Sequence, residues 1–248
     1  MTSVSVLVPA RLDDERAELW AWLKPQWTAL GFEVIEGTVP DGAPWSKGAA
    51  VADALTRATG DILVVTDADV WCDPRAVEQA IAHVSRPVNP SPWAMPHERV
   101  LRLTKAATAR VLAGQGWPEA PGEVLVLDDR LAKVFAERPY VGVLGGGIVV
   151  LHRKIYEQIP IDPRFLYWGQ EDEAWARALL TLAGYPSRGK ADLWHLYHAP
   201  SPMRQSRGLG SPENVALFHR YQAAAQLASR GRRDVAAMRA LIAEIRGR

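Results

Sequence analysis

The sequence predicts an α/β fold with a largely parallel sheet, and three observations carry that expectation. Short apolar runs at Val4–Val8, Phe32–Ile35 and Ile62–Val65 have the length and composition of buried strands. Two segments with helical spacing of apolar residues, Asp13–Leu30 and Gly48–Thr59, separate them. The resulting order of strand, helix, strand, helix, strand is the pattern that builds a parallel sheet with helices against it.

The elements follow in order. Val4–Val8 ends at Pro9. In Asp13–Leu30 the apolar face comprises Leu19, Trp20, Leu23 and Trp27, and Pro25 is expected to kink or break the helix. Phe32–Ile35 is a second strand, and Pro40–Trp45 is a loop rich in Pro, Gly and Asp. Gly48–Thr59 is a helix with Gly60 as its stop signal. Ile62–Val65 then runs into Asp67-Ala68-Asp69. Proline-dense Ser85–Pro96 reads as loop with at most one edge strand, Arg99–Ala113 as helix and Gly114–Gly122 as a breaker-rich connection. Tyr140–Leu151 is β-like around Gly145-Gly146-Gly147, and His152–Gln158 is helical. Glu171–Ala183 is a strong helix with Trp175, Ala178, Leu179 and Leu182 on one face. Ala191–Tyr197 is a last strand. Ser211-Pro212-Glu213, an N-cap followed by Pro at the first helical position, opens a helical tail.

Composition excludes several classes. The 248 residues carry 29 Lys and Arg against 28 Asp and Glu, so a net charge of +1 gives no global attraction to nucleic acid or to a membrane surface. A single cysteine, Cys72, excludes internal disulfides and fits a reducing compartment. No apolar stretch approaches the length of a membrane span. The N-terminus enters a strand without a leader-like segment, and the expectation is a cytoplasmic protein. Ten tryptophans are many for this length, and core packing accounts for most of them.

Asp67-Ala68-Asp69 is the most informative motif. Carboxylates at the C-terminal end of a buried strand lie where open α/β sheets hold their ligands. Two carboxylates one residue apart suit a hard divalent cation that must also hold a diphosphate. The plain alternative is a solvated turn, and the rest of the chain decides between them.

Four landmarks, taken in order, resemble the A-type-fold glycosyltransferases, in particular the inverting β-1,4-galactosyltransferase-like and family 2-like members. These are Val8-Pro9-Ala10-Arg11, Trp45-Ser46-Lys47-Gly48, Asp67-Ala68-Asp69, and Gly145-Gly146-Gly147 followed by Tyr167-Trp168-Gly169-Gln170-Glu171-Asp172-Glu173. The resemblance spans about residues 4–200 and implies a Rossmann-like nucleotide-diphospho-sugar transferase fold, with a mixed, mostly parallel sheet and a C-terminal helical tail. It implies a nucleoside diphosphate sugar as donor, a UDP-sugar first, with Mn2+ or Mg2+ as cofactor. Asp69 is then the principal metal ligand and Asp67 the supporting one. The third ligand is a histidine after the last strand, for which His195 and His198 are both candidates. Side chains alternate along a strand, so the two would face opposite sides unless the strand ends between them.

The same resemblance makes Asp172 the general base that takes the acceptor's hydroxyl proton, and Glu171 a contact to sugar hydroxyls. Three acids in the first turn of a helix also have a purely structural reading, since exposed amides and the helix dipole favour them there. Trp168 is expected against the sugars, Gly146 and Gly147 where donor and backbone approach closely, and Trp45 against the base. Pro9 belongs to the nucleotide-contacting turn, while Arg11 and Lys47 are placed to offset diphosphate charge. Departures from the pattern leave the donor sugar and base open: the first turn lacks an aromatic and a second arginine, and position 170 is Gln rather than Gly.

We expect residues 1–205 to form one domain, with a nucleotide-sugar-binding half (1–85) and an acceptor-binding, catalytic half (86–205). A helical extension follows over 206–248, with a basic stretch Ser229–Arg233 that reads first as a solvated face. The acceptor could be a glycan, a lipid-linked sugar, a protein or a modified nucleobase. The alternatives to a metal-dependent, inverting transferase are a non-catalytic nucleotide- or glycan-binding module and a sugar-1-phosphate nucleotidyltransferase. The latter would need a glycine-rich loop after the first strand, which Pro9-Ala10-Arg11-Leu12-Asp13-Asp14 does not supply.

Overall fold

The computed structural model describes residues 3–11, 14–118, 147–167, 169–199, 210–225 and 233–246. Among these lie seven strands and eight helices. The strands are β1 (Val4–Pro9), β2 (Glu33–Gly37), β3 (Ile62–Thr66), β4 (Val70–Cys72), β5 (Trp93–Arg102), β6 (Ile148–His152) and β7 (Ser187–His195). The helices are α1 (Asp14–Ala29), α2 (Lys47–Arg57), α3 (Pro74–Val84), α4 (Lys105–Leu112), α5 (Arg153–Gln158), α6 (Glu171–Leu182), α7 (Pro212–Ala225) and α8 (Val235–Arg246).

All seven strands form one sheet in the order β2-β1-β3-β6-β5-β7-β4. β1 pairs in parallel with β2 and β3, and β5 with β7, whereas β6 and β4 run against their neighbours. Alternate residues of the central strands divide between two cores. Leu7, Leu63, Val65, Val149 and Leu151 pack with α2, α5, α6, α7 and α8. Val6, Val8, Ile62, Val64, Ile148 and Val150 face α1, α3 and α4. β3 is buried along its whole length, as expected of a strand covered on both faces.

The strand order forces the sheet to curl. β3 and β4 are separated by three intervening strands, which in a flat sheet would put them about 19 Å apart. Yet only Asp67, Ala68 and Asp69 join them, and a chain of that length reaches at most about 14 Å. The acidic motif is therefore the strap that draws the far edge of the sheet back toward its centre. Asp67 N donates to Gly147 O (3.2 Å), prolonging the β3–β6 pairing, and Leu196 N donates to Asp69 O (2.9 Å), prolonging the β4–β7 pairing.

Three expectations are corrected. Pro25 lies inside α1 without ending it, because the apolar face on both sides of it is fully sequestered: Leu23 and Trp27 are 0 % exposed. The proline-dense region ends in β5, an interior strand rather than an edge, with Pro96 at a register irregularity between Met95 and His97 where its missing donor is tolerated. β5 also takes the residues up to Arg102 from the expected Arg99–Ala113 helix, and the Thr104 side chain then caps α4 by accepting from Ala107 N at 3.1 Å. β4 and α3 are additional elements. α3 carries a readable start signal in Asp73-Pro74, an N-cap with proline in the first turn.

The tail helices share the α6 core through Leu217, Phe218, Tyr221, Met238, Leu241 and Ile242. Tyr221 Oη donates to buried Asp162 (2.8 Å), tying α7 to the segment that leads into α6. The basic stretch Ser229–Arg233 lies outside the described residues except for Arg233, which donates to Leu180 O and covers the Tyr185 ring.

Candidate active site

Lys47 opens α2 at the edge of the sheet where β3 ends. Ser46 fixes that start twice: its hydroxyl accepts from Ala49 N (3.4 Å) and donates to Pro163 O (2.9 Å). Lys47 Nζ lies 2.6 Å from Asp67 Oδ1 and 2.6 Å from Asp172 Oδ1, with its side chain only 10 % exposed. One buried cation thus joins the first acid of the motif on the strap to the second residue of α6. Burial alone would depress the Lys47 ammonium, but Asp172, Asp67 and Glu171 reverse this and hold it well above the usual range.

Three carboxylates around one lysine leave excess negative charge. Burial, reinforced by Asp172 and Asp69 and opposed by Lys47, pushes Asp67 up to about 6. Burial and then Asp172 push Glu171 up to about 7. Glu171 is held by a tight corner: Tyr167, Gly169 and Gln170 all take positive φ (63°, 125° and 72°). The turn aims Gly169 N at Glu171 Oε2 (3.0 Å). Asn214 of α7 braces it by accepting from Leu166 N (3.1 Å) and donating to Leu166 O (2.9 Å).

Asp69 faces a different group. Its carboxylate meets His198 Nε2 at 3.1 Å and His195 Nε2 at 3.9 Å, and the three ligand atoms lie within 4.8 Å of one another. β7 ends at His195, so alternation stops there and both rings converge on Asp69. Each imidazole is oriented by a neighbouring carbonyl: His195 Nδ1 is 2.9 Å from Leu196 O, and His198 Nδ1 is 2.8 Å from Ala199 O. With Nδ1 donating, His195 Nε2 carries the lone pair that a metal ligand requires, and His198 Nε2 lies within hydrogen-bond reach of Asp69 Oδ2 at 3.1 Å. Burial and then Arg102 push His195 down to about 3, which keeps it neutral. Burial opposes the Asp69 charge, yet the hydrogen bond from His198 and the Arg16 guanidinium hold its carboxyl well below the ordinary range. One carboxylate oxygen and two imidazole nitrogens are a donor set that fits a divalent cation.

Arg16 and Glu15, in the first turn of α1, complete this group and escape a reading of the sequence. Arg16 Nε is 3.4 Å from Asp69 Oδ2, and Arg16 Nη2 is 3.3 Å and 3.4 Å from the two ring nitrogens of His198. Glu15 accepts from Ala199 N (2.6 Å) and so holds the loop carrying His198. The only sequence signal for either is position in a first turn after β1.

The remaining expected site residues distribute as follows. Pro9 is buried at the end of β1, and Arg11 is exposed on the turn after it. Trp45 is partly buried, and its carbonyl accepts from Tyr167 N (2.7 Å), which places it beside the corner preceding α6. Gly147 adopts φ +68°, and a Cβ there would lie 2.4 Å from Leu193 Cδ2 and 3.4 Å from buried His97. Gly146 and Trp168 lie outside the described residues. No described helix is long and apolar enough to cross a membrane.

The glycosyl transferase family 2 model matches residues 40–130, the stretch that contains Lys47, Asp67 and Asp69. No curated protein matches the chain. Among solved structures, a Drosophila β-1,4-galactosyltransferase 7 variant in complex with manganese, UDP-Gal and xylobiose aligns over 85% of this chain and 75% of its own, with 13% identity and a TM-score of 0.49. Glucosyl-3-phosphoglycerate synthase from Mycobacterium tuberculosis with phosphoglyceric acid aligns over 90% and 80%, with 15% identity and a TM-score of 0.49. The same synthase with Mn2+, UDP and glucosyl-3-phosphoglycerate aligns over 94% and 81%, with 16% identity and a TM-score of 0.46. The curled seven-stranded sheet and the strap that closes it thus carry, over residues 40–130, a likeness to glycosyl transferase family 2.

Proposed function

We propose that the protein is a metal-dependent glycosyltransferase that moves a sugar from a nucleoside diphosphate sugar to an acceptor hydroxyl with inversion. The observation that carries this reading is the adjacency of two groups on one strap, Asp69 with His195 and His198, and Asp67 with Lys47 and Asp172. Asp69, His195 and His198 would hold the cation, with Asp67 as the supporting acid. When bound, Mn2+ or Mg2+ stabilises the charge that develops on the departing diphosphate. The need for it follows from the charge of the site. Asp67, Asp69, Glu171 and Asp172 would otherwise repel a diphosphate, and Lys47 is already committed to two of them.

Asp172 acts as general base. It accepts the acceptor hydroxyl's proton as that oxygen bonds to the anomeric carbon and the bond from that carbon to the diphosphate oxygen breaks. The Lys47 ammonium occupies Oδ1 at 2.6 Å, and the other carboxylate oxygen receives the proton. Glu171, with its raised affinity for a proton, suits hydrogen bonding to sugar hydroxyls. UDP-sugars are the first donors to test, and the acceptor is a glycan, lipid-linked sugar, protein or modified nucleobase.

The test is incubation with Mn2+ and a panel of nucleotide sugars, followed by NMR of the product's anomeric carbon. Release of nucleoside diphosphate with inverted configuration supports the proposal. Donor binding without turnover on any acceptor would reduce the protein to a binding module.

A further inference from the structure

Asp69 is 6 % exposed, and a buried carboxylate needs a cation beside it. Here that cation is Arg16, whose guanidinium spans Asp69 Oδ2 and both ring nitrogens of His198 at 3.3–3.4 Å. A metal ion held by Asp69, His195 and His198 would take ligand bonds of about 2.0–2.2 Å from atoms that include Asp69 Oδ2 and His198 Nε2, both of which Arg16 touches. Arg16 and the ion therefore compete for one place. The arginine contacts to Asp69 and His198 are long beside the roughly 2.7–2.9 Å of a strong charge-assisted bond. Arg16 lies in the first turn of α1, at the sheet edge where the strap lies, and its planar fork matches phosphate oxygens.

We propose that Arg16 is the counter-cation of Asp69 in the metal-free protein, is displaced when the metal ion enters, and then engages the donor's diphosphate. This rests on the metal-dependent reading above. It makes metal and nucleotide binding mutually reinforcing, because each removes the other's obstacle. The ion frees the arginine for the diphosphate, and the diphosphate draws the arginine away from the ion's ligands.

The test is titration of Mn2+ into the full chain, following free Mn2+ by electron paramagnetic resonance, with and without UDP. In wild type, UDP should tighten Mn2+ binding by about tenfold. Arg16→Gln should bind Mn2+ about tenfold more tightly than wild type without UDP, and should lose most of the tightening by UDP. Arg16→Met, which keeps the aliphatic stem, is the second variant and carries the same expectation if the glutamine form does not fold. Mn2+ affinity that is unchanged or weaker in the folded variant overturns the role of Arg16 and leaves the metal site intact. Failure of wild type and both variants to bind Mn2+, with or without UDP, overturns the metal-dependent reading as well.

Discussion

Lys47 Nζ and Asp172 Oδ1 lie 2.6 Å apart although the residues are 125 positions apart in the chain. The contact joins the start of α2, in the part that the family 2 model matches, to the start of α6, where the candidate base lies. The same ammonium holds Asp67 on the strap at 2.6 Å, so any event at the strap is felt by Asp172 through one side chain. A buried ion pair of this kind is worth little as net stability, but removing one member leaves the others uncompensated.

Asp172→Asn keeps the size of the side chain and removes its basicity. We expect kcat to fall by about 10²–10⁴, the range of general base catalysis, with UDP binding in the presence of Mn2+ nearly unchanged. Steady-state kinetics beside calorimetric titration check this. An asparagine form that retains more than a tenth of wild-type kcat would remove Asp172 from the mechanism.

Lys47→Met leaves Asp67, Glu171 and Asp172 without their shared cation. The expected outcome is a loss of roughly 2 kcal/mol in folding stability at pH 7.5, since the partners are only partly buried. Denaturant unfolding should also show most of that loss recovered at pH 5, where Asp67 and Glu171, raised to about 6 and about 7, take up protons. A deficit independent of pH would contradict the charge account.

Glu171 has its own pH signature. Its carboxyl is raised from 4.5 to about 7, so between those values the native state holds a proton that the unfolded chain has released. Stability from this residue is present below pH 4.5 and is lost as pH rises through 7. Glu171→Gln removes that loss and keeps an acceptor for Gly169 N. Relative to wild type, the variant should gain about 1–3 kcal/mol between pH 5 and pH 8 in paired thermal melts. A constant difference across that range would show that Glu171 is not desolvated as described.

Gly48→Ala tests how α2 is placed. A Cβ at position 48 would come within 2.8 Å of Ile161 O, Asp162 C and Pro163 N, all backbone atoms of the segment leading to α6. The helix start must then shift, at a cost of about 1–3 kcal/mol, and Lys47 shifts with it. Activity should fall at temperatures where circular dichroism shows the variant still folded. Full activity would mean that Lys47 tolerates displacement and is not a positioning contact.

Much of the site was legible in the sequence, for physical reasons particular to each residue. Asp67 and Asp69 stood out because two acids ended an apolar run, and Glu171 and Asp172 because they open an amphipathic helix after a glycine. His195 and His198 were visible as a pair. Which of them faces Asp69 depended on where β7 ends, a tertiary fact that alternation along a strand does not contain. The pairing of Asp67 with Lys47 was not legible either. Asp67 turns to Lys47 and Asp69 to the histidines because the strap joins two pairings of a curled sheet. Arg16 and Glu15 stayed hidden among ordinary charged residues in a first helical turn, since their partners lie more than 50 positions away. Proline misled at Pro96, where a register irregularity absorbed it, and Pro25 did not break α1 because the helix face around it is buried.

The central claim is that Asp69 and the two histidines hold a divalent cation on which sugar transfer depends. Its most direct measurement is the rate of nucleoside diphosphate release from the preferred donor, with Mn2+ and with EDTA, for wild type and Asp69→Ala. The account predicts release by wild type in Mn2+, abolition by EDTA with recovery on re-addition of the ion, and loss of about 10²-fold or more in Asp69→Ala with Mn2+ present. Release that persists in EDTA, or an Asp69→Ala protein as active as wild type, would contradict it.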